Sequence, residues 1–231
     1  MSEKHLFTSE SVTEGHPDKV ADQISDAVVD AILSDDPMGR VACETLVTTG
    51  LVFVAGEITT RGYAEIPALA RQVIHEIGYD DPHLGFASET SAVITSIDPQ
   101  SGDIAMGVDT GGAGDQGMMF GYACSQTDVL MPMPIHIAHL LVRKMAEVRK
   151  AGELGWIKPD GKSQVTIEYI DKMPHRVDTV LLSTQHSADV THAEIEAGLK
   201  KHVIEPVLAG FDVDTSGYRT LVNPTGLFVK G

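Results

Sequence analysis

The sequence predicts an α+β fold built from repeated α-β-β-α-β units. Each unit is a sheet, antiparallel or mixed, covered on one face by helices. Three observations predict it. Two amphipathic helical patterns, over 17–33 and 134–150, begin 117 positions apart. Each is followed by two strand-like runs, a second helix and one more strand, in the same order. Hydrophobic residues make up 42% of the 231, enough for a sizeable core. The sheet faces left bare would need partners, either each other or a second chain.

The elements follow in order. His5 to Val12 is a short β-prone start. Glu14-Gly-His-Pro-Asp-Lys19 opens a helix, because proline suits a first turn, where its missing N–H costs nothing. From there Val20, Ile24, Ala27, Val28, Ala31 and Ile32 form one apolar stripe that stops near Asp36-Pro37. Val41–Thr48 and Leu51–Thr60 read as a hairpin turning at Thr49-Gly50. Glu44 lies on the strand face opposite Cys43, and Glu57 follows Gly56. A helix over Ile66–Ile77 ends at Gly78, and Thr90–Ile97 is a strand. Asp98–Gly117 has no periodicity and is rich in Gly, Asp, Ser and Gln; it reads as a mobile lid ending in a glycine-rich ligand turn. The second unit comprises a helix over Pro134–Lys150, strands over Gln164–Ile170 and Val177–Thr184, a helix over Ala193–Val207 and a short strand at Leu221-Val222. The expected domains are 1–110 and 111–231.

Composition narrows the function. The net charge is −16, from 33 acidic and 17 basic residues. That argues against nucleic acid or an anionic membrane as the main partner. It leaves a nucleotide open, since a local cation or Mg²⁺ reverses the sign of a small site. Cys43 and Cys124 form no metal motif and read as two buried free thiols. The N-terminus is not a signal peptide and no apolar run approaches a membrane span, so a cytoplasmic location is expected.

Several residues carry candidate chemistry. His16 and Asp18 sit at a helix start, where unpaired N–H groups favour anions. His16 suits a donor to a phosphate, and Asp18 a ligand for its metal. Asp18, Asp22, Asp26 and Asp30 recur every four residues; for Asp26 and Asp30 a solvated acidic face is the simpler reading. Gly112-Ala-Gly-Asp-Gln-Gly117 fits G-x-G-x-x-G by letter. A polar loop precedes it and another glycine stands where a helix should start, so the dinucleotide reading fails. A glycine nest for an anion or nucleoside remains, with Asp115 facing a metal or a ribose hydroxyl, beside the plainer reading of a tight turn. Lys162, at a turn entering a strand, is a point charge within reach of a phosphate, or a surface lysine. His136 and His139 are one helical turn apart with no third ligand and read as helix-face residues. Met118, Met119, Met131 and Met133 read as packing. His186 reads as a cap for the next helix, with a site role as the alternative. Asn223-Pro-Thr-Gly226 is a turn signature.

Taken together, Phe7-Thr-Ser-Glu-Ser-Val12, Gly15-His-Pro-Asp-Lys19, Ala21-Asp-Gln-Ile-Ser-Asp26, Gly112-Ala-Gly-Asp-Gln-Gly117 with Met119-Phe-Gly-Tyr122, Lys162-Ser-Gln-Val-Thr166, Ser183-Thr-Gln-His186 and Asn223-Pro-Thr-Gly226 closely resemble the S-adenosylmethionine synthetase (methionine adenosyltransferase) family, in order over the whole chain. The resemblance implies synthesis of S-adenosylmethionine from ATP and L-methionine, with tripolyphosphate cleaved to diphosphate and phosphate, and with Mg²⁺ and K⁺ as cofactors. By the family pattern His16, Lys162 and Asp115 are catalytic. Asp160, Gly161, Lys162, Leu227 and Phe228 join His16 in contacting ATP, and Glu57 and Gln100 contact methionine. Asp18 is a Mg²⁺ ligand and Glu44 holds the K⁺ position. The segment from Gln100 resembles the family's gating loop. A homodimer or homotetramer with sites between subunits is implied.

Three departures stand out. Family chains continue into a third domain carrying phosphate-binding Arg and Lys residues and a second Mg²⁺ aspartate. Leu227 stands where many members have arginine, and Lys230 where many have an apolar residue. The segment from Gly107 to Gly112 is shorter than in many relatives. The alternative to an enzyme is therefore a truncated, non-catalytic chain that folds and associates with full-length subunits.

Overall fold

The computed structural model describes residues 3–108, 111–113 and 116–230. The chain divides into two compact units that interleave in sequence. One joins Met1–His16 to Tyr122–Gly231; the other is Pro17–Gly121.

The Pro17–Gly121 unit contains helix α1 (Pro17–Asp35), strands β2 (Arg40–Thr48) and β3 (Leu51–Thr59), helix α2 (Ile66–Ile77), strand β4 (Ala92–Asp98) and helix α3 (Gly102–Val108). Its sheet order is β2-β3-β4, with β3 antiparallel to β2 and parallel to β4. The apolar stripe of α1 buries Val20, Ile24, Val28 and Ile32. Of these, Val20, Ile24 and Val28 share a core with Ala70, Ile74 and Ile77 of α2 and Val52 and Val54 of β3. Gly78 closes α2 in the left-handed region, its N–H bonded to the His75 carbonyl; glycine reaches that conformation without a Cβ penalty. Period-two alternation turns the other set of side chains outward. Leu46, Phe53 and Ile94 are cross-strand neighbours on that face and are 57%, 37% and 50% exposed.

The structure differs from the expected lid in one respect. Residues 102–108 are helical rather than aperiodic, and Ser101 Oγ accepts the Asp103 N–H at 3.3 Å as their cap. A seven-residue helix is too short to leave a periodic signature.

The other unit contains β1 (Lys4–Val12), α4 (Met133–Lys150), β5 (Ile157–Ile170), β6 (Met173–His186), α5 (His192–Leu199), a π-helical stretch (Lys200–Ile204), α6 (Glu205–Leu208) and β7 (Arg219–Val222). The sheet order is β1-β5-β6-β7, antiparallel except for the β6–β7 pair. Both sheets thus share an antiparallel pair followed by a parallel strand, and β1 is an extra edge on this one. Ile137, Leu141 and Met145 of α4 pack with Val165 and Ile167 of β5, Val180 and Leu182 of β6, and Ile195 and Leu199 of α5. The helix expected over 193–207 is one continuous rod only in outline. It widens to a π-turn just before Pro206, whose ring would otherwise clash with a carbonyl one turn back.

Three further expectations change. Lys158 to Gly161 is not a turn before the strand. It lies inside β5 at a register shift between the Ile157–His186 and Gly161–Thr184 pairs. Extra residues at a bulge leave Pro159 without a ladder bond to lose. Met118 and Met119 are not packed: they are exposed, with Phe120 and Tyr122 beside them. Cys43 and Cys124 are free thiols, half-buried rather than buried.

Tyr169 gives the four-stranded unit a pH signature. Its hydroxyl donates to Gln126 Oε1 at 2.9 Å, and its ring stacks on His5. Burial, with smaller contributions from Cys124 and Tyr122, pushes its pKa up to about 12. The folded protein therefore holds this proton more tightly than the unfolded chain, whose tyrosine titrates near 10. The stabilisation is fully present below pH ~10 and falls by about 2 kcal/mol as pH rises to ~12. Urea unfolding at pH 9, 10.5 and 12 should show that decline, and Tyr169→Phe should lack it.

Candidate functional site

In the four-stranded unit, the residues between β1 and α1 form a tight turn locked to the β5 bulge. Thr13 makes the lock. Its N–H donates to the Gly161 carbonyl at 2.9 Å, and its hydroxyl donates to the carbonyls of Pro159 at 2.7 Å and Gly161 at 3.2 Å. Glu14 is clamped by Arg149 and Lys150 from the end of α4. Gly15 rests on Pro159 with no room for a Cβ. His16 closes the turn, its N–H donating to the Thr13 carbonyl at 3.1 Å, and is half-buried.

The bulge brings Asp160, Gly161 and Lys162 beside that turn. Val12 pairs with Lys162, and Lys162 with Ser183. Lys162 is exposed, whereas Asp160 is 5% exposed. Gly161 is as tightly held as Gly15: a Cβ there would meet Met145 Cε at 2.8 Å and the Ser183 carbonyl at 2.9 Å.

The end of β6 docks the segment after β7. Asn223 donates from Nδ2 to the Thr184 carbonyl at 3.0 Å and accepts the Thr184 N–H at 2.8 Å. The His186 N–H donates to the Phe228 carbonyl at 2.9 Å, and Phe228 returns its own N–H to His186 Nε2 at 3.1 Å. His186 Nδ1 lies 2.8 Å from the Ser187 carbonyl, an acceptor only, so Nδ1 is the donor of that bond. Gln185 Nε2 donates to the Val229 carbonyl at 3.1 Å. Its buried Oε1 meets no donor among the described residues. His186 is thus the latch of the Leu227-Phe228 segment, not a helix cap. Thr191 caps α5 instead, in a reciprocal box with Glu194 whose bonds hold that carboxyl below its usual range. Phe228 is half-buried and Leu227 is exposed.

In the Pro17–Gly121 unit, Asp18 is exposed in the first turn of α1. Glu44 and Glu57 point to the open sheet face, Glu57 directly beside Asp98. Gln100 follows β4, and its Oε1 accepts from Arg40 Nε at 2.8 Å. A cavity of about 540 Å³ lies next to Arg40, lined also by Thr59, Thr60 and Arg61. Asp115 lies outside the described residues.

The donor set fits a cation carried in by its ligand. Among the described residues no three His, Cys, Asp or Glu groups converge on a metal position. Mg²⁺ needs no such cage, since it binds one or two carboxylates plus substrate phosphates. Asp18 can serve that way, and Glu44 offers hard oxygens of the kind K⁺ takes.

Sequence reasoning missed Arg40, Gln185 and the latch role of His186. Arg40 carried no motif signal. His186 and Asn223 lay in motifs whose partners are about forty residues apart. His136 and His139 do separate work: His139 meets Ser11 Oγ at 2.8 Å, and His136 lies edge-on to Phe211.

Two family models and a curated relative match the chain. The model of the S-adenosylmethionine synthetase N-terminal domain matches residues 4–102. That of the S-adenosylmethionine synthetase central domain matches residues 110–228. An S-adenosylmethionine synthase of a Nocardioides species is 58% identical over 241 aligned residues, covering 98% of this chain. The chain spans 61% of that relative's length.

Proposed function

The chain belongs to the S-adenosylmethionine synthetase family, and from that premise we propose that it takes part in forming S-adenosylmethionine from ATP and L-methionine, with tripolyphosphate cleaved to diphosphate and phosphate. The observation that carries the reading is the Thr13–His16 turn bound to the Asp160–Lys162 bulge. It holds the motif residues at the end of β1 against those of β5, whose Lys162 pairs in turn with Ser183 of β6. Along the sequence we read two domains, 1–110 and 111–231, with β1 of the first joining the sheet of β5, β6 and β7.

In the reaction a methionine sulfur lone pair forms the bond to C5′ of ATP. The C5′–O bond breaks, its electron pair leaving on the triphosphate. No proton need move in that step; the difficulty is charge on the leaving group. His16 donates a hydrogen bond to the triphosphate near the breaking bond. Lys162 places a fixed positive charge on it. Phe228, latched by His186, offers an aromatic face to adenine, and Asp160, Gly161 and Leu227 complete the nucleotide contacts. Glu57 takes the methionine ammonium and Gln100 its carboxylate. Asp18 would hold Mg²⁺, which neutralises phosphate charge when bound, and Glu44 would hold K⁺. Asp115 belongs to the same set. The exposed Leu46–Phe53–Ile94 row supports a homodimer or homotetramer. The described residues contain no helix long and apolar enough to cross a membrane, and we place the protein in the cytoplasm.

The test is S-adenosylmethionine formation with ATP, methionine, Mg²⁺ and K⁺. His16→Ala should lower the rate about a hundredfold or more, as loss of one charge-directed donor does. Product lost in His16→Ala supports the reading; an unchanged rate in that variant would overturn it.

A further inference from the structure

Gln100 is an amide, and an amide can recognise a ligand in two opposite ways. Its oxygen accepts and its nitrogen donates; a rotation of half a turn exchanges them. What decides between them here is Arg40. Its Nε lies 2.8 Å from Gln100 Oε1. A guanidinium has donors and no acceptor, so the amide nitrogen cannot occupy that position. The pairing is chemically one-way. The Gln100 NH₂ group is turned from Arg40, leaving it to face a ligand.

The strand register puts a complementary group on the same face. Arg40 pairs with Thr59, Ala42 with Glu57, and Glu57 with Asp98. Side chains two apart on a strand share a face, so Arg40 and Glu57 are on one side of the sheet. Gln100 follows Asp98 by two residues and reaches Arg40 across the end of β3. This corner therefore offers carboxylates from Glu57 and Asp98 and a directed NH₂ donor from Gln100. Those are the two halves needed to hold an α-amino acid, ammonium on one and carboxylate on the other.

We propose that Arg40 is a positioning residue: by accepting no bond and donating one to Gln100 Oε1, it makes Gln100 a one-way donor and so makes the substrate's carboxylate obligatory. The proposal rests on the reading of Gln100 as a methionine contact. Without Arg40 the amide turns freely, and half of its orientations present an acceptor to the carboxylate. A lysine at this position preserves both the donor and the charge.

The test compares the full chain with Arg40→Met and Arg40→Lys, using L-methionine and its alcohol analogue L-methioninol, which lacks the carboxylate. Arg40→Met should raise the KM for methionine about tenfold, the effect of one charge-assisted bond, with kcat and the KM for ATP changed less than about twofold. Its preference for methionine over methioninol should shrink by the same factor, and Arg40→Lys should retain most of it. An unchanged KM and an unchanged preference in Arg40→Met would overturn the proposal. Side-chain ¹⁵N relaxation of Gln100 separates this from the functional reading. An amide rigid in the wild type and mobile in Arg40→Met, in a protein that binds no methionine, leaves Arg40's action standing and sinks the substrate assignment. An amide equally mobile in both sinks the proposal itself.

Discussion

Replacing Gly15 by alanine is expected to cost about 3 kcal/mol or more of folding stability, the upper end of what overpacking a tight site does. The reason is what surrounds the missing Cβ. It would lie 2.5 Å from both the carbonyl carbon and the oxygen of Pro159, and closer still to the Pro159 Cβ. Backbone cannot rotate aside as a side chain can. To make room, the turn must lift from the bulge, breaking the Thr13 hydroxyl bond to Pro159 and the two bonds from Thr13 to Gly161. Thr13 is 5% exposed, so water does not replace those bonds at once; each buried group left unpaired costs on the order of 1–3 kcal/mol. Glu14 would be pulled from Arg149 and Lys150 as well. The functional loss follows from the same displacement, because His16 is the next residue. Urea unfolding measures the first effect and ATP binding the second. A Gly15→Ala protein within 1 kcal/mol of wild type that binds ATP normally would mean that the turn is not locked to the bulge.

The contrast between that turn and its surroundings shows what one sequence discloses. The stripe of α1, the Ile66–Ile77 helix with its Gly78 stop and the 41–60 hairpin are local: each is a repeat of apolar residues read against a period of 3.6 or 2. So their positions were legible to within a residue or two. The Gly-His-Pro-Asp turn was legible for a related reason, since a proline followed by an acidic residue is what a first helical turn favours. The pairing of β1 was not. Its partner, β5, is some 158 residues away at Thr8–Thr166, and alternation says nothing about which strand lies alongside. The β5 bulge was hidden by its own proline, which on local grounds reads as a turn. Likewise Arg40 and Gln100 are 60 residues apart, and neither calls attention to the other. Family motifs named Gln100, Lys162 and Phe228. They did not name Arg40 or give His186 its latch role, because such partnerships are fixed by packing rather than by spacing.

Asn223→Asp is the second substitution expected to have a large effect, and it changes almost no volume. Asn223 is 2% exposed and sits at a φ of 38°, a left-handed conformation that asparagine tolerates better than most residues. Its amide makes two opposed bonds to one residue: it accepts the Thr184 N–H and donates to the Thr184 carbonyl. A carboxylate keeps the first bond and turns the second into an oxygen facing an oxygen, in a site with little water. The expected cost is about 3 kcal/mol at pH 7, the range for a buried group deprived of its partner with a charge added. The sign of its pH dependence follows. Burial and the facing carbonyl raise the folded pKa of the introduced carboxyl above the unfolded value near 4. Its protonated form, which can donate to the Thr184 carbonyl, is therefore favoured in the folded state. The deficit should shrink as pH falls towards 4 and be fully present above the raised pKa. Wild-type protein has an uncharged amide at this position and lacks that component. Because Thr184, Gln185 and His186 are consecutive, loosening the first should also loosen the Phe228 latch, where Phe228 gives its N–H to His186 and takes the His186 N–H in return. Thermal unfolding of the variant and wild type at pH 7 and pH 4.5 measures the stability difference, and ATP affinity at pH 7 reads the latch. A deficit that grows on acidification would show that the Asn223 amide does not donate to Thr184.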